Sequence, residues 1–258
     1  MSPCLPCIVR TSPLLPPLPD VKKARLKHAL HLPAIRRTRA RALHNATMLG
    51  LILDIICWNV RGLNDRACKD TIHAMLAQTT CHIACIQETK LNFIDHQTMG
   101  YIGGFQLRSF AHHPATSTRG GIMLLWDEDH VTISNIHIGT HLISADVSIR
   151  SCGTSFKITM VYGPSNDADK RNFLDEAIAA KPTDDDTKWL ILGHFNLMYQ
   201  AVDKNNGNVN LCLMGQFRQA LNSCQLKELR LLNRKYTWNN EREDPTLVRL
   251  DRAFCNAN

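Results

Sequence analysis

Six polar side chains stand where apolar runs give out: Asn59 in CWNVRG, Glu88 in IQETK, Tyr162 in VYGP, His194 and Asn196 in GHFN, and Asp251 in RLDR. Loops at the ends of a rigid sheet are where catalytic groups gather, since the strands fix the backbone and the loops leave the side chains accessible. Singly, each has an ordinary explanation: a turn asparagine, a solvated glutamate, an aspartate paired with flanking arginines. The stretch LILGHFNLM poses the sharpest question. A buried run delivers a histidine to a position where metal-dependent phosphate chemistry ordinarily asks for a carboxylate.

The elements that must position these residues are legible from Leu51 onward. LILDIICWNVRG, CHIACIQETK, FKITMVYGP and KWLILGHFN read as buried strands leaving into polar or glycine-bearing loops. GGIMLLWDE and HLISADVSI read as antiparallel strands around a hairpin-rich section, YTWNN as a short strand or loop, and TLVRLDRAF as one last strand. Helical spacing marks ACKDTIHAMLAQ, DKRNFLDEAIAA and MGQFRQALNSC. Strands alternate with helices in places and with hairpins in others, which calls for a mixed sheet, or two packed sheets, with helices outside.

Composition divides the 258 residues at Met48. Of the 30 Lys and Arg, nine precede it (Arg10, Lys22, Lys23, Arg25, Lys27, Arg36, Arg37, Arg39 and Arg41), against one acid, Asp20, of the 23 Asp and Glu. The remainder, with 21 bases and 22 acids, is near neutral although the whole chain carries +7. Residues 1–47 also hold seven of the eleven prolines and read as a mostly disordered basic tail with a short helix in DVKKARLKHALHL. Its run RRTRARA suits phosphate contacts or a nuclear address, and a transit-like segment is the alternative. No apolar run approaches the ~20 residues of a membrane span. The ten cysteines are scattered, with one lone CxxC at Cys4 and Cys7, and read as reduced thiols rather than zinc ligands.

Taken in order, WNVRGLN, QETKL, RGGIMLLWD, VYGP, GHFN, YTWNN and RLDR resemble the endonuclease/exonuclease/phosphatase superfamily. The similarity is greatest to the endonuclease domain of plant LINE-type non-LTR retrotransposons, and it covers about residues 52–258. It implies an α/β fold, a four-layer α/β sandwich of two facing mixed β-sheets flanked by helices, with residues 48–258 as an incomplete domain whose last strands are missing. It also implies hydrolysis of a DNA phosphodiester by an activated water with Mg²⁺ or Mn²⁺. By the same resemblance Glu88 is the main metal ligand, with Asn59 holding the metal-side network and the attacked phosphate. Tyr162 hydrogen-bonds a phosphate oxygen, Asn196 positions water or phosphate, and Asp251 is a supporting carboxylate. Arg61, Tyr236, Trp238 and Arg249 are the implied nucleic-acid contacts.

Two departures qualify that expectation. His194 stands where the family's GDFN motif has the aspartate that orients and deprotonates water. A neutral imidazole can accept a proton, but it is bulkier and brings no negative charge beside a metal. The family's later Ser-Asp-His motif is not found before the sequence stops at Asn258. The expectation is therefore a weakened or inactive nuclease. A non-catalytic nucleic-acid-binding remnant and a small-molecule phosphatase of the same superfamily are the alternatives.

Overall fold

The computed structural model describes residues 7–9, 53–116 and 119–256. The expected helix in the tail, the RRTRARA run and the boundary at Met48 lie outside the described residues. Among the described residues thirteen strands and four α-helices follow one another: β1 (Cys7–Val9), β2 (Ile55–Asn59), α1 (Arg66–Ala77), β3 (Ile83–Gln87), α2 (His96–Gly103), β4 (Ser109–Thr116), β5 (Arg119–Trp126), β6 (Val131–Ile138), β7 (Leu142–Ile149), β8 (Ser155–Tyr162), α3 (Lys170–Ala179), β9 (Trp189–His194), α4 (Leu211–Ser223), β10 (Lys227–Glu228), β11 (Trp238–Asn239), β12 (Leu247–Val248) and β13 (Asp251–Cys255). One sheet runs β1-β2-β3-β5-β4, a second runs β10-β13-β9-β8-β7-β6, and β11 pairs with β12 alone.

Period-2 alternation explains why the strand sequences are apolar almost throughout. In the first sheet Ile55, Cys57, Ile83, Cys85, Ile122 and Leu124 face inward to meet Ile143, Ala145, Val147, Ile158, Met160, Leu190 and Leu192 of the second. The alternate residues Ile56, Trp58, Ala84, Ile86, Met123 and Leu125 face outward onto Ile72 and Leu76 of α1 and Met99 and Ile102 of α2. Across the molecule, Val161, Ile191 and Phe254 pack on Phe173 and Leu174 of α3 and Phe217 and Leu221 of α4. The layers are thus helices, sheet, sheet, helices: two facing mixed sheets flanked by helices. Asp65, Asp95 and Asn210 cap α1, α2 and α4 by accepting backbone N–H groups, each such cap contributing about 1 kcal/mol.

GGIMLLWDE and HLISADVSI are antiparallel strands as expected, in different sheets: β5 closes a hairpin with β4, and β7 with β6. One expectation changes. TLVRLDRAF is two strands, Leu247–Val248 on β11 and Asp251–Cys255 on β9. The chain changes partner at Arg249-Leu250, where the Leu250 N–H donates to Thr237 Oγ1 and the Leu250 carbonyl accepts from the Phe195 N–H.

Gly193 sits in β9 at φ +149°, where an added Cβ would stand 2.0 Å from the Val161 carbonyl oxygen. Only glycine lets β8 approach this closely. Gly193→Ala should therefore cost about 2 kcal/mol, seen as a lower urea midpoint; an unchanged midpoint would contradict the close approach.

At the opposite end of the strands His82 Nδ1 accepts the Asp54 N–H at 3.0 Å, which requires a neutral ring. Burial, reinforced by His130 and opposed by Asp127, holds its pKa below the ordinary value. The unfolded chain then binds the proton first as pH drops, so this contribution to stability is complete above about pH 6.5 and is lost below it. Thermal melts from about pH 7 to about pH 5 should fall more steeply for the native sequence than for His82→Gln. Equal slopes would remove His82 from the account.

Candidate active site

Both sheets contain one parallel pair of neighbouring strands joined through a helix, β2 with β3 and β8 with β9. Ligands gather beyond the carboxyl ends of such pairs. Here those ends carry the expected residues: Asn59 stands in register with Gln87, and Tyr162 with His194. Antiparallel β13 adds Asp251 directly opposite His194. Tyr162, His194 and Asp251 therefore form a row across three adjacent strands of the second sheet.

Glu88 leaves β3 with a left-handed backbone, φ +55°, and its carboxylate charge lies near enough to the Tyr162 phenol to act on it. This proximity sets the end of one sheet against the end of the other. Burial drives the Tyr162 pKa above its ordinary value, with the nearby Glu88 carboxylate adding to it, so the phenol stays protonated and remains a donor. Lys90 Nζ lies 3.1 Å from Glu88 Oε1. The 88–90 turn is strapped to the RGG segment of β5: the Thr89 and Lys90 N–H groups donate to the carbonyls of Gly121 and Gly120 at 3.1 and 3.0 Å. Gly121, at φ +86°, has no room for a side chain, since a Cβ would meet Thr89 Oγ1 at 2.2 Å.

His194 is 2% exposed and Asp251 4%. His194 Nδ1 is 2.8 Å from Asp251 Oδ1, and Nε2 is 3.0 Å from Asn196 Oδ1. The Asn196 amide is oriented by its other end, which donates to the Gly163 carbonyl at 2.7 Å. Both imidazole nitrogens thus face protein oxygens, and neither presents a lone pair to a water in the cleft. The His194 ring also stacks on Tyr162, with centroids 6.0 Å apart and planes at 22°. Asp251 is held from behind, where the N–H groups of Leu250 and Asp251 both donate to Thr237 Oγ1 at 3.0 Å.

The four implied nucleic-acid contacts divide. Arg61 and Trp238 are brought together, the guanidinium 5.5 Å from the indole centroid. Tyr236 flanks them on β11's approach, half-buried, with Lys235 over its ring. Arg249 turns elsewhere: its Nη2 is 2.7 Å from Glu228 Oε1. It joins a buried network in which Arg252 bonds both Asp203 and Glu228, and that network locks β13 and β10 together.

Among the described residues no three His, Cys, Asp or Glu side chains converge as a metal cluster. A hard cation such as Mg²⁺ needs only one or two protein carboxylates, keeping waters and bridging to substrate phosphate. The donor set fits that minimal mode: Glu88 supplies the carboxylate and Asn59, 1% exposed, stands beside it on the next strand. Asn59 Oδ1 accepts the Arg61 N–H at 3.1 Å, whereas its Nδ2 has no partner. A buried donor left without an acceptor suits a missing phosphate oxygen.

Sequence reasoning missed Lys90 and Thr237. The first had a signal, a lysine two residues after the key glutamate in QETK. Thr237 had none, because its role is to accept two N–H groups that arrive from a segment thirteen residues later.

Comparison with known proteins places this geometry. No curated protein sequence matches the chain. Among solved structures it is similar to the AP endonuclease LMAP from Leishmania major, with 14% identity, 79% of this chain and 78% of that one covered, and a TM-score of 0.62. It is similar to the endonuclease domain of TRAS1, a telomere-specific non-LTR retrotransposon, at 14% identity, 76% and 83% coverage and a TM-score of 0.54. It is also similar to D. rerio TDP2 complexed with single-strand DNA product, at 16% identity, 79% and 83% coverage and a TM-score of 0.56. The family model described as Endonuclease/Exonuclease/phosphatase family matches residues 56–258, and the chain belongs to that family.

Proposed function

We propose that the chain is a divalent-metal-dependent phosphodiester hydrolase of the LINE-type DNA endonuclease class, nearest the plant group, in which His194 weakens or abolishes cleavage. The observation that carries this reading is the row Tyr162–His194–Asp251, with the Glu88 carboxylate near the phenol and His194 locked on Asp251. It brings a metal-ligand carboxylate and a phosphate-facing phenol to one spot, and beside them stands a histidine turned away from solvent. Neighbours whose names specify DNA chemistry, a retrotransposon endonuclease domain among them, support DNA as the substrate.

Glu88 and Asn59 would hold Mg²⁺ or Mn²⁺, which when bound supplies Lewis-acid stabilisation and an acidified water. The rest falls to the chain's own residues. The Asn59 amide N–H, lacking a partner, donates to a phosphate oxygen. The Tyr162 hydroxyl donates as negative charge builds on the phosphate. Asn196, oriented by the Gly163 carbonyl, holds His194 rather than water. A base is therefore missing from the position where water must be deprotonated, and that loss typically costs about 10²- to 10⁴-fold in rate. The same lock favours a second reading, in which the cleft grips nucleic acid without cutting it.

Supercoiled-plasmid nicking in Mg²⁺ and in Mn²⁺ separates the two. The native sequence should nick at or near background, His194→Asp should gain about 10²-fold or more, and adding Glu88→Ala should return the double variant to background. Nicking by the native sequence at the His194→Asp rate would refute the weakening. A His194→Asp protein that binds DNA and still fails to nick would favour the binding reading.

A further inference from the structure

Arg61 makes three contacts on the β11–β12 side of the site, and they differ in kind. Its guanidinium lies over the Trp238 ring, and Nη2 donates to the Asn239 carbonyl at 2.7 Å. Ring and carbonyl belong to the β11 strand and fix the plane of the guanidinium. The third partner is a carboxylate: Nη1 donates to Glu241 Oε1 at 2.6 Å. The Arg61 side chain is only 12% exposed, while that of Glu241 is 36% exposed. Glu241 holds its place at φ +57°, with its N–H on Asn239 Oδ1. One arm of a half-buried, pre-oriented arginine thus reaches the surface, and an acidic side chain of this protein lies across it.

Carboxylate and phosphate oxygens both accept a charge-assisted bond from a guanidinium N–H, so one can replace the other on the Nη1 arm. Arg61 follows Asn59 by two residues, and its own N–H is bonded to Asn59 Oδ1, so the residue that carries the arm starts beside the side chain already assigned to the phosphate. We propose that Glu241 is a built-in stand-in for a nucleic-acid backbone phosphate, and that a neighbouring phosphodiester displaces it from Arg61 when the strand enters the cleft. This rests on the nucleic-acid reading above and adds a subsite next to the scissile position, restrained by an acid of the same chain. Trp238 keeps Arg61 in place during the exchange, so the arm changes partner without refolding.

The test is fluorescence anisotropy of a labelled DNA duplex with the full chain in EDTA, across a salt titration. Glu241→Gln is compared with Glu243→Gln, which removes the same charge from an exposed position in the same loop. Glu241→Gln should bind about two- to fivefold tighter than Glu243→Gln, the worth of a partly exposed ion pair. Arg61→Ala should lower the slope of log affinity against log salt by about 0.9, one phosphate contact, and in that background Glu241→Gln should give no gain. Equal affinities for the two glutamine variants, or a gain that persists without Arg61, would overturn the proposal even if Arg61→Ala is poorly folded. If the native sequence and every variant fail to bind DNA, the nucleic-acid reading falls and takes this one with it. If the native sequence binds and only the Glu241→Gln gain is absent, this one falls alone.

Discussion

The constraint on which the rest depends is that two sheets share one apolar interface. Every second residue of β2, β3 and β5 is spent against β7, β8 and β9, and sheets packed in this way stand about 10 Å apart. That spacing brings a glutamate at the end of one sheet near a tyrosine at the end of the other. Because the side-chain period is two, a one-residue slip of β8 would turn Met160 outward and carry Tyr162 off the row it forms with His194 and Asp251. Site geometry and core packing are therefore one requirement. Gly193 shows the coupling at its tightest, since the residue that allows β8 to approach β9 is the one before His194.

Within that frame, the histidine in GHFN changes the electrostatics of the row and not its architecture. An aspartate at position 194 would face Asp251 in register, two carboxylates with like charge that only a cation or a proton could reconcile. The imidazole sets a ring nitrogen, not a second carboxylate, against Asp251. Lys90 does the same for Glu88. The site's two acidic groups are each matched by a nitrogen of the protein, which lowers the drive to recruit a divalent ion. Replacing one member of a buried pair leaves the other uncompensated, with costs of about 3 to 5 kcal/mol. His194 is thus part of what holds the ends of β9 and β13 together.

What the sequence disclosed follows from this physics. The strands buried on both faces, such as IICWN and WLILGH, read as apolar runs, and the polar residues closing them were visible as a set. The amphipathic helices α1, α3 and α4 were visible because each has one buried stripe. α2 escaped because its eight residues, HQTMGYIG, contain two glycines and little periodicity. β4 escaped because SFAHHPAT carries two histidines and a proline, tolerated at the sheet's edge where one side needs no ladder partner. β6 is another edge strand, mostly exposed and bulged between Ser134 and His137, so no apolar run announces it. The roles of Thr237 and Glu241 were not legible at all. Each depends on which distant segment the fold lays beside it.

Backbone conformation makes the same point from another side. Of the eight non-glycine residues with positive φ among those described, five lie at or beside the site: Arg61, Glu88, Lys90, Asn196 and Glu241. Each such residue costs roughly 1 kcal/mol or more relative to the ordinary conformation. No packing demand on the core asks for it, since the strands have ended by then. What the left-handed turns accomplish is redirection: Glu88 leaves the line of β3 to face Tyr162, and Asn196 turns back so that its amide bridges His194 and Gly163. The hydrogen bonds of the 88–90 turn to Gly120 and Gly121 offset that cost locally. Strain of this kind persists only where surrounding contacts over-determine it. Its persistence here, in the loops around His194, marks the part of the scaffold whose shape core packing alone does not demand.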